Sequence, residues 1–287
     1  MKRTKISVIL AVFSICLCSV VLVAATYAWF SSNQLVSTSR VEGHTDTSDV
    51  QLLISELGGE QFKGSQVSSI VQVNLSDSEK LLPVSTADLA VFLQNTNTLS
   101  DYAIGFTKVS DESRYYHGRV YIMAKAEGQR SDAHLLLYLD QSTSTGGALV
   151  NSDDKEQLML NAARLGLVIS DVSKPYIFYL SDEENPTADR MANTVIDGNV
   201  LEEGQVLTMQ QDKIIAVPDP AVPLSQYSVS TSGGNTFVPQ EPLCKLELNK
   251  VYQVDVYFYL EGCDPDCTDS ISYDGSNLHL AFFGVLE

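Results

Sequence analysis

Ten consecutive residues, Val251 to Leu260, alternate in side-chain character with a period of two. Val254, Val256, Phe258 and Leu260 fall on one face, and Gln253, Asp255, Tyr257 and Tyr259 on the other. Successive side chains of a strand point to opposite sides, so this segment buries one face and wets the other, as a half-buried antiparallel strand does. Leu278 to Val285 repeats the pattern, with Leu278, Leu280 and Phe282 inward and His279 outward. The Asp274-Gly275 turn dipeptide between the two runs predicts that they pair through the intervening loop. Further β-branched or aromatic runs, bounded by Gly, Pro, Asn or Asp, lie at Val50 to Ser55, Ser69 to Leu75, Tyr102 to Val109, Tyr115 to Ala126 and His134 to Leu139. Gly166 to Ile169, Tyr176 to Leu180, Val206 to Met209 and Lys213 to Val217 continue the series.

One segment has helical spacing. Asp153 stands three residues before Glu156 as in a capping box, Leu158, Ala162 and Leu165 share a face, and Gly166 supplies a stop. Between Asp182 and Ser232 the chain is polar and proline-containing, which predicts long surface loops around two or three edge strands. No repeat of solenoid period is present. The expected fold is all-β: one antiparallel β-sandwich over residues 50–287, with one short helix and long loop insertions. A chain of 287 residues is long enough to bury such a core.

The N-terminus has a different character. Ile6 to Phe30 contains no charged side chain and follows Lys2, Arg3 and Lys5. At ~1.5 Å per residue it can cross a hydrocarbon core of ~30 Å, and the basic residues before it would stay in the cytoplasm while the rest is translocated. Residues 1–30 are therefore expected to be a signal peptide or a membrane anchor. Small residues at Ala25 and Ala28 suit cleavage, whereas Tyr27, Trp29 and Phe30 would suit the aromatic belt of a retained span. Residues 31–49 are rich in Ser and Thr with few large apolar residues, and read as a flexible arm. The expected location is extracellular or at the cell surface, membrane-associated if the leader is kept.

Charge narrows the partners. The chain carries 36 acidic and 18 basic side chains, a net of -18, and without the three basic residues of the leader the balance moves to about -21. Binding a polyanion depends on Lys and Arg neutralising phosphates, so nucleic acid is excluded as a partner. Acidity of this size keeps an exported protein soluble and self-repelling.

Three cysteines remain beyond the leader: Cys244, Cys263 and Cys267. Cys263-Asp-Pro-Asp-Cys267 forms a short loop directly after the strongest strand, with Pro265 at its centre favouring a tight reversal. A Cys263–Cys267 disulfide is the first expectation in an oxidising compartment, and a bridge from Cys244 to either is the second. Asp264, Asp266 and Asp269 in the same stretch read as solvated turn residues, with calcium as the alternative cofactor because carboxylate oxygens on a loop are its ligands. The EF-hand spacing is missing, and no other cofactor is expected. His44, His117, His134 and His279 stand apart, with no His-Glu-x-x-His helix and no Gly-x-Ser-x-Gly elbow, so no catalytic residue is assigned and no enzyme is expected.

Two stretches carry a family resemblance. The leader ending Ala25-Thr26-Tyr27-Ala28-Trp29-Phe30 is similar to the SipW-type signal peptides of TasA/camelysin-like exported surface proteins. Tyr259-Leu260-Glu261-Gly262-Cys263-Asp264-Pro265-Asp266-Cys267-Thr268 resembles the Leu-Glu-Gly-x-Asp-x-Asp-Cys signature of surface proteins of anaerobic Gram-positive bacteria with such leaders. Leu160-Asn161-Ala162-Ala163-Arg164-Leu165-Gly166 resembles the short helix before a core strand in that group. The resemblance implies a jelly-roll-like sandwich, export, and assembly into biofilm-matrix fibres.

Three functions follow as expectations. The first is an exported cell-surface or extracellular-matrix structural protein that self-associates by strand addition, using the 31–49 arm or the strand after it. The alternative is a membrane-tethered, adhesin-like module that binds a surface polymer through the Asp182 to Ser232 loops. A secreted hydrolase, which would need clustered His and carboxylates, stands last.

Overall fold

The chain divides after Ser39. The computed structural model describes residues 50–55, 70–74, 81–95, 105–110, 114–126, 133–141, 150–151, 161–180, 195–196, 199–202, 204–232, 235–264, 266–267 and 277–287, all in the second unit. The leader, the arm and most of the expected helix lie outside these residues. Among the described residues no helix is long and apolar enough to cross a membrane.

The fold is all-β, as the alternating patterns require. One sheet of six strands runs in the order β1 (Val50–Ser55), β5 (Tyr116–Ala126), β18 (Val251–Leu260), β8 (Ala163–Ile169), β9 (Tyr176–Tyr179) and β14 (Val222–Pro223). The second sheet has seven, in the order β16 (Asn235–Phe237), β15 (Ser228–Ser232), β6 (His134–Asp140), β19 (Asn277–Leu286) and β2 (Ile70–Asn74). There β17 (Cys244–Glu247) adds to β6, and β7 (Val150–Asn151) adds to β19. Three two-stranded ribbons complete the described strands: β3 (Leu93–Asn95) with β4 (Phe106–Lys108), β10 (Val195–Ile196) with β11 (Asn199–Val200), and β12 (Gln205–Gln210) with β13 (Lys213–Pro218). Pairing is antiparallel except for β9 with β14 and β6 with β15, which are parallel.

The two sheets face each other across one apolar core. Val254, Val256, Phe258 and Leu260 of β18 meet Leu135, Leu137 and Leu139 of β6 and Leu280 and Phe282 of β19 in the same buried cluster. The inward face read from the sequence is thus the buried face. The expected pairing of the two runs is not made, however. β18 lies between β5 and β8, while β19 bonds to β2, β6 and β7 in the opposite sheet. Each run is amphipathic, and facing across a sandwich satisfies that requirement as fully as lying side by side.

Two further expectations are corrected. Of the predicted helix, only residues 161–162 are helical among those described, and Ala163–Ile169 is the strand β8. Its side chains are buried on both sides of the sheet, so apart from Arg164 it is apolar and mimics helical spacing. Tyr259, read as outward-facing, is also buried.

Residues 81–95 explain the second point, because they fold over the outer face of the six-stranded sheet. Reciprocal bonds between the Ser85 and Leu93 backbones, at 2.8 and 2.9 Å, close this segment, and the Asp88 carboxylate accepts the N–H groups of Ala90 and Val91 within it. Val84, Leu89 and Phe92 then pack on Ile177 and Tyr259. Gly166 permits this cover: a Cβ there would stand 2.7 Å from the Leu89 methyl carbons.

Candidate functional site

Where the 81–95 segment meets the end of β18, the structure buries an ionic cluster. Its centre is Arg164. Ala163, Leu165, Leu167 and Ile169 of β8 point into the sandwich, so the alternation turns Arg164 to the outer face, where it is fully buried. A charge out of water must be paired and hydrogen-bonded. One guanidinium nitrogen, Nη1, donates to the carbonyls of Asn161 at 2.9 Å and Ala163 at 3.1 Å. The other, Nη2, donates to Asp264 Oδ2 at 2.9 Å and lies 3.6 Å from Asp219 Oδ2. Its Nε has no hydrogen-bond partner.

Asp264 and Glu261 reach the cluster from the turn that follows β18. The Asp264 N–H donates to the Glu261 carbonyl, the Cys267 N–H to the Asp264 carbonyl, and the Asp266 N–H to Asp264 Oδ1. Asn161 Nδ2 donates to Asp266 Oδ2 at 2.9 Å and ties the far side of the turn to the start of β8. Glu261 Oε1 accepts the Cys263 N–H at 3.0 Å. The Ser85 hydroxyl is a further partner of the Glu261 side chain, and its oxygen accepts the Leu207 N–H at 2.9 Å. Asp219 sits between β13 and β14, with its N–H on the Gly204 carbonyl and its Oδ1 accepting the Ala221 N–H. Four separate stretches of chain therefore converge on one buried point.

The electrostatics follow from one cation among three carboxylates. Burial alone would pull the Arg164 guanidinium down, but Asp219, Asp264 and Glu261 outweigh it and hold its proton more firmly than usual. Burial, reinforced by the neighbouring Asp219 carboxylate, pushes Glu261 up to about 7. Burial also raises Asp264, with Arg164 opposing. Tyr259, buried beside Glu261 and Asp219, is pushed well above its ordinary value. These shifts come from lost solvent and like charges, the two agents that most strengthen proton binding by an acid.

The residues singled out from the sequence are distributed unevenly around this site. Asp264 and Asp266 belong to it, but both oxygens of Asp264 are engaged by protein donors and Asp266 is bonded to Asn161. Asp269 lies outside the described residues. Among the described residues no group of three His, Cys, Asp or Glu side chains is arranged to hold a metal. No disulfide is formed among the described residues either, so the expected Cys263–Cys267 bridge is not made. Cys263 packs with Leu93, Leu201, Val206 and Leu207, whereas Cys267 packs at the margin of the main core, so the two side chains serve different clusters. Cys244 is half-buried at that margin, and burial pushes its thiol up to about 12.

His117 and His134 lie in different sheets, and His44 and the side chain of His279 lie outside the described residues. On the outer face of β5 and β18, the exposed His117 ring stacks on the half-buried Tyr257 with centroids 4.5 Å apart. Beside it, Arg119 Nε donates to Asp255 Oδ1 at 2.7 Å and Gln253 Nε2 to Asp255 Oδ2 at 2.9 Å.

Sequence reasoning found Asp264 and Asp266 in the acidic turn but missed Arg164, Asp219 and Glu261. A single Arg inside the apolar run Ala162 to Ile169 was the available signal, since a charged residue is fully buried almost only when paired. Asp219 carries no comparable local mark. Comparison of the chain with protein-family models, with curated proteins and with solved structures finds no match.

Proposed function

We propose that this chain is an exported cell-surface or extracellular-matrix structural protein whose subunits associate by strand addition along β1. The observation that carries the reading is the contrast between the two edges of the six-stranded sheet. β14 has two residues, one of them Pro223, and follows Pro218 and Pro220, which blocks pairing. β1 has six residues, none of them charged and none proline, and among the described residues no strand lies on its outer side. An uncharged edge of this length is a template for another chain, and backbone hydrogen bonds would supply affinity. The basic, apolar leader and the polar arm preceding β1 supply the export and the reach.

Substituting Gln51, an exposed position on β1, tests this. A lysine at an edge is a natural device against edge pairing. Purified mature protein should grow in light scattering as salt screens its charge, and Gln51→Lys should abolish the growth while leaving thermal stability unchanged. A wild-type protein that stays monomeric across salt and concentration removes the proposal.

A specific observation favours a second reading, a module that binds a surface polymer. On the outer face of β5 and β18, exposed His117 and Arg119 lie beside the half-buried Gln253, Asp255 and Tyr257, so that a stacked ring pair adjoins hydrogen-bonding groups. Retained binding of wall or host polysaccharide by Gln51→Lys, with loss in Arg119→Ala, would support it.

A further inference from the structure

We propose that Arg164, Asp219, Glu261 and Asp264 form a proton-operated latch: with a proton on Glu261 the start of the turn, Glu261 to Asp264, is locked to the sheet, and with that proton lost it opens. The geometry supplies the reason. One guanidinium stands within a buried space shared by three carboxylates, so full ionisation leaves an excess of negative charge with no solvent to screen it. A proton on one of the carboxyls offsets that excess without any movement of the chain. Arg164 cannot adjust, because it stays charged throughout the accessible pH range.

Every element packed around Glu261 contributes a group that favours or opposes this. β8 brings Arg164, the end of β18 brings Tyr259, and the turn itself brings Asp264, Asp266 and the Cys263 thiol. The β13–β14 connection brings Asp219. From residues 81–95 comes only the Ser85 hydroxyl, since the Asp88 carboxylate is turned to Thr86, Ala90, Val91 and Thr208. Arg164, Ser85 and the Cys263 N–H favour the carboxylate; burial and Asp219 favour the acid and prevail.

The hinge of the latch is visible in the same bonds. Glu261 accepts the Cys263 N–H through its side chain and the Asp264 N–H through its carbonyl, while the Gly262 N–H bonds to the Val84 carbonyl at 2.8 Å. Repulsion between ionised Glu261 and Asp219 therefore acts directly on the first turn residue and on its attachment to the 81–95 segment. Cys263, buried in the closed state, reports the opening.

The direction with pH is fixed. A carboxyl that binds its proton more tightly folded than unfolded stabilises the fold fully below its ordinary value of 4.5, and this contribution fades as pH rises through about 7. Thermal melts of the full mature chain should therefore fall by roughly 5–10 °C between about pH 5 and about pH 8, with the step missing in Glu261→Gln. Alkylation of Cys263, normalised to its thiolate fraction, should accelerate through the same interval in wild type only. If Glu261→Gln does not fold, Asp219→Asn serves instead: removing the like charge should move the step to lower pH. Parallel pH profiles for wild type and Glu261→Gln, a normalised Cys263 rate that is flat with pH, or an unmoved step in Asp219→Asn would each overturn the latch.

Discussion

Arg164 Nη2 lies 2.9 Å from Asp264 Oδ2, with both side chains closed off from solvent, although 100 positions separate them in the chain. Removing the guanidinium leaves three buried carboxylates with no cation among them. Arg164→Met should therefore lower stability by about 3–5 kcal/mol. Adding Asp264→Leu should recover part of the loss, since it takes away one of the stranded carboxylates. Chemical denaturation of the singles and the double gives the coupling.

Asp255 predicts a pH effect of opposite sign to that of Glu261. Burial raises it, but hydrogen bonds from Arg119 and Gln253 outweigh this and hold its carboxyl below the usual value of 3.8. Its stabilisation is present above that value and lost as pH falls through the depressed one. Asp255→Asn should flatten the acid limb of a stability profile measured below about pH 4 and leave the limb near neutrality unchanged.

The facing aromatics of β18 and β19 carry much of the core. Phe258→Ala or Phe282→Ala, each deleting a fully buried ring from the shared cluster, should cost about 3–5 kcal/mol. Gly166→Ala tests the outer layer. Its Cβ would meet Leu89 at 2.7 Å and Tyr257 at 3.2 Å, so it should destabilise, and Leu89→Ala in the same chain should relieve the clash. Melting temperatures of the two singles and the double decide this.

Cys244 should resist alkylation in the native protein. The thiolate is the reacting species, and burial holds its thiol up to about 12. Mass spectrometry after iodoacetamide treatment near neutral pH should find Cys244 unmodified until denaturant is added.

What the residues disclosed in advance depended on how local the signal was. The period of two at Val251 to Leu260 marks the buried face because alternation is a property of the strand itself. It does not name a neighbour, which is why β19 was placed beside β18 and not across from it. The outward assignment of Tyr259 failed for a related reason: its cover comes from residues 81–95, far away in sequence. Ala162 to Ile169 is apolar on both faces except at Arg164, so its period is hard to read and the spacing of Leu158, Ala162 and Leu165 suggests a helix. In the candidate site, Asp264 and Asp266 are legible as acids of the turn after a strong strand, whereas Glu261 stands out only within the Leu-Glu-Gly resemblance. Arg164, the partner of Asp264, sits inside the apparent helix, and Asp219 gives no sign, because a single aspartate in a proline-rich connection looks like any turn residue.

The position of β18 has a consequence for the order of folding. It is the third strand of the six-stranded sheet, bonded on one side to β5 and on the other to β8, yet it is the last of the six to be synthesised. A chain emerging N-terminus first would hold β5 and β8 with their inner edges unsatisfied until residues 251–260 arrive between them. Such long-range closure is slow, and it leaves the earlier strands incompletely paired until the end of synthesis. Stalled or truncated chains that lack this tail would expose two strand edges at once and should aggregate rather than fold.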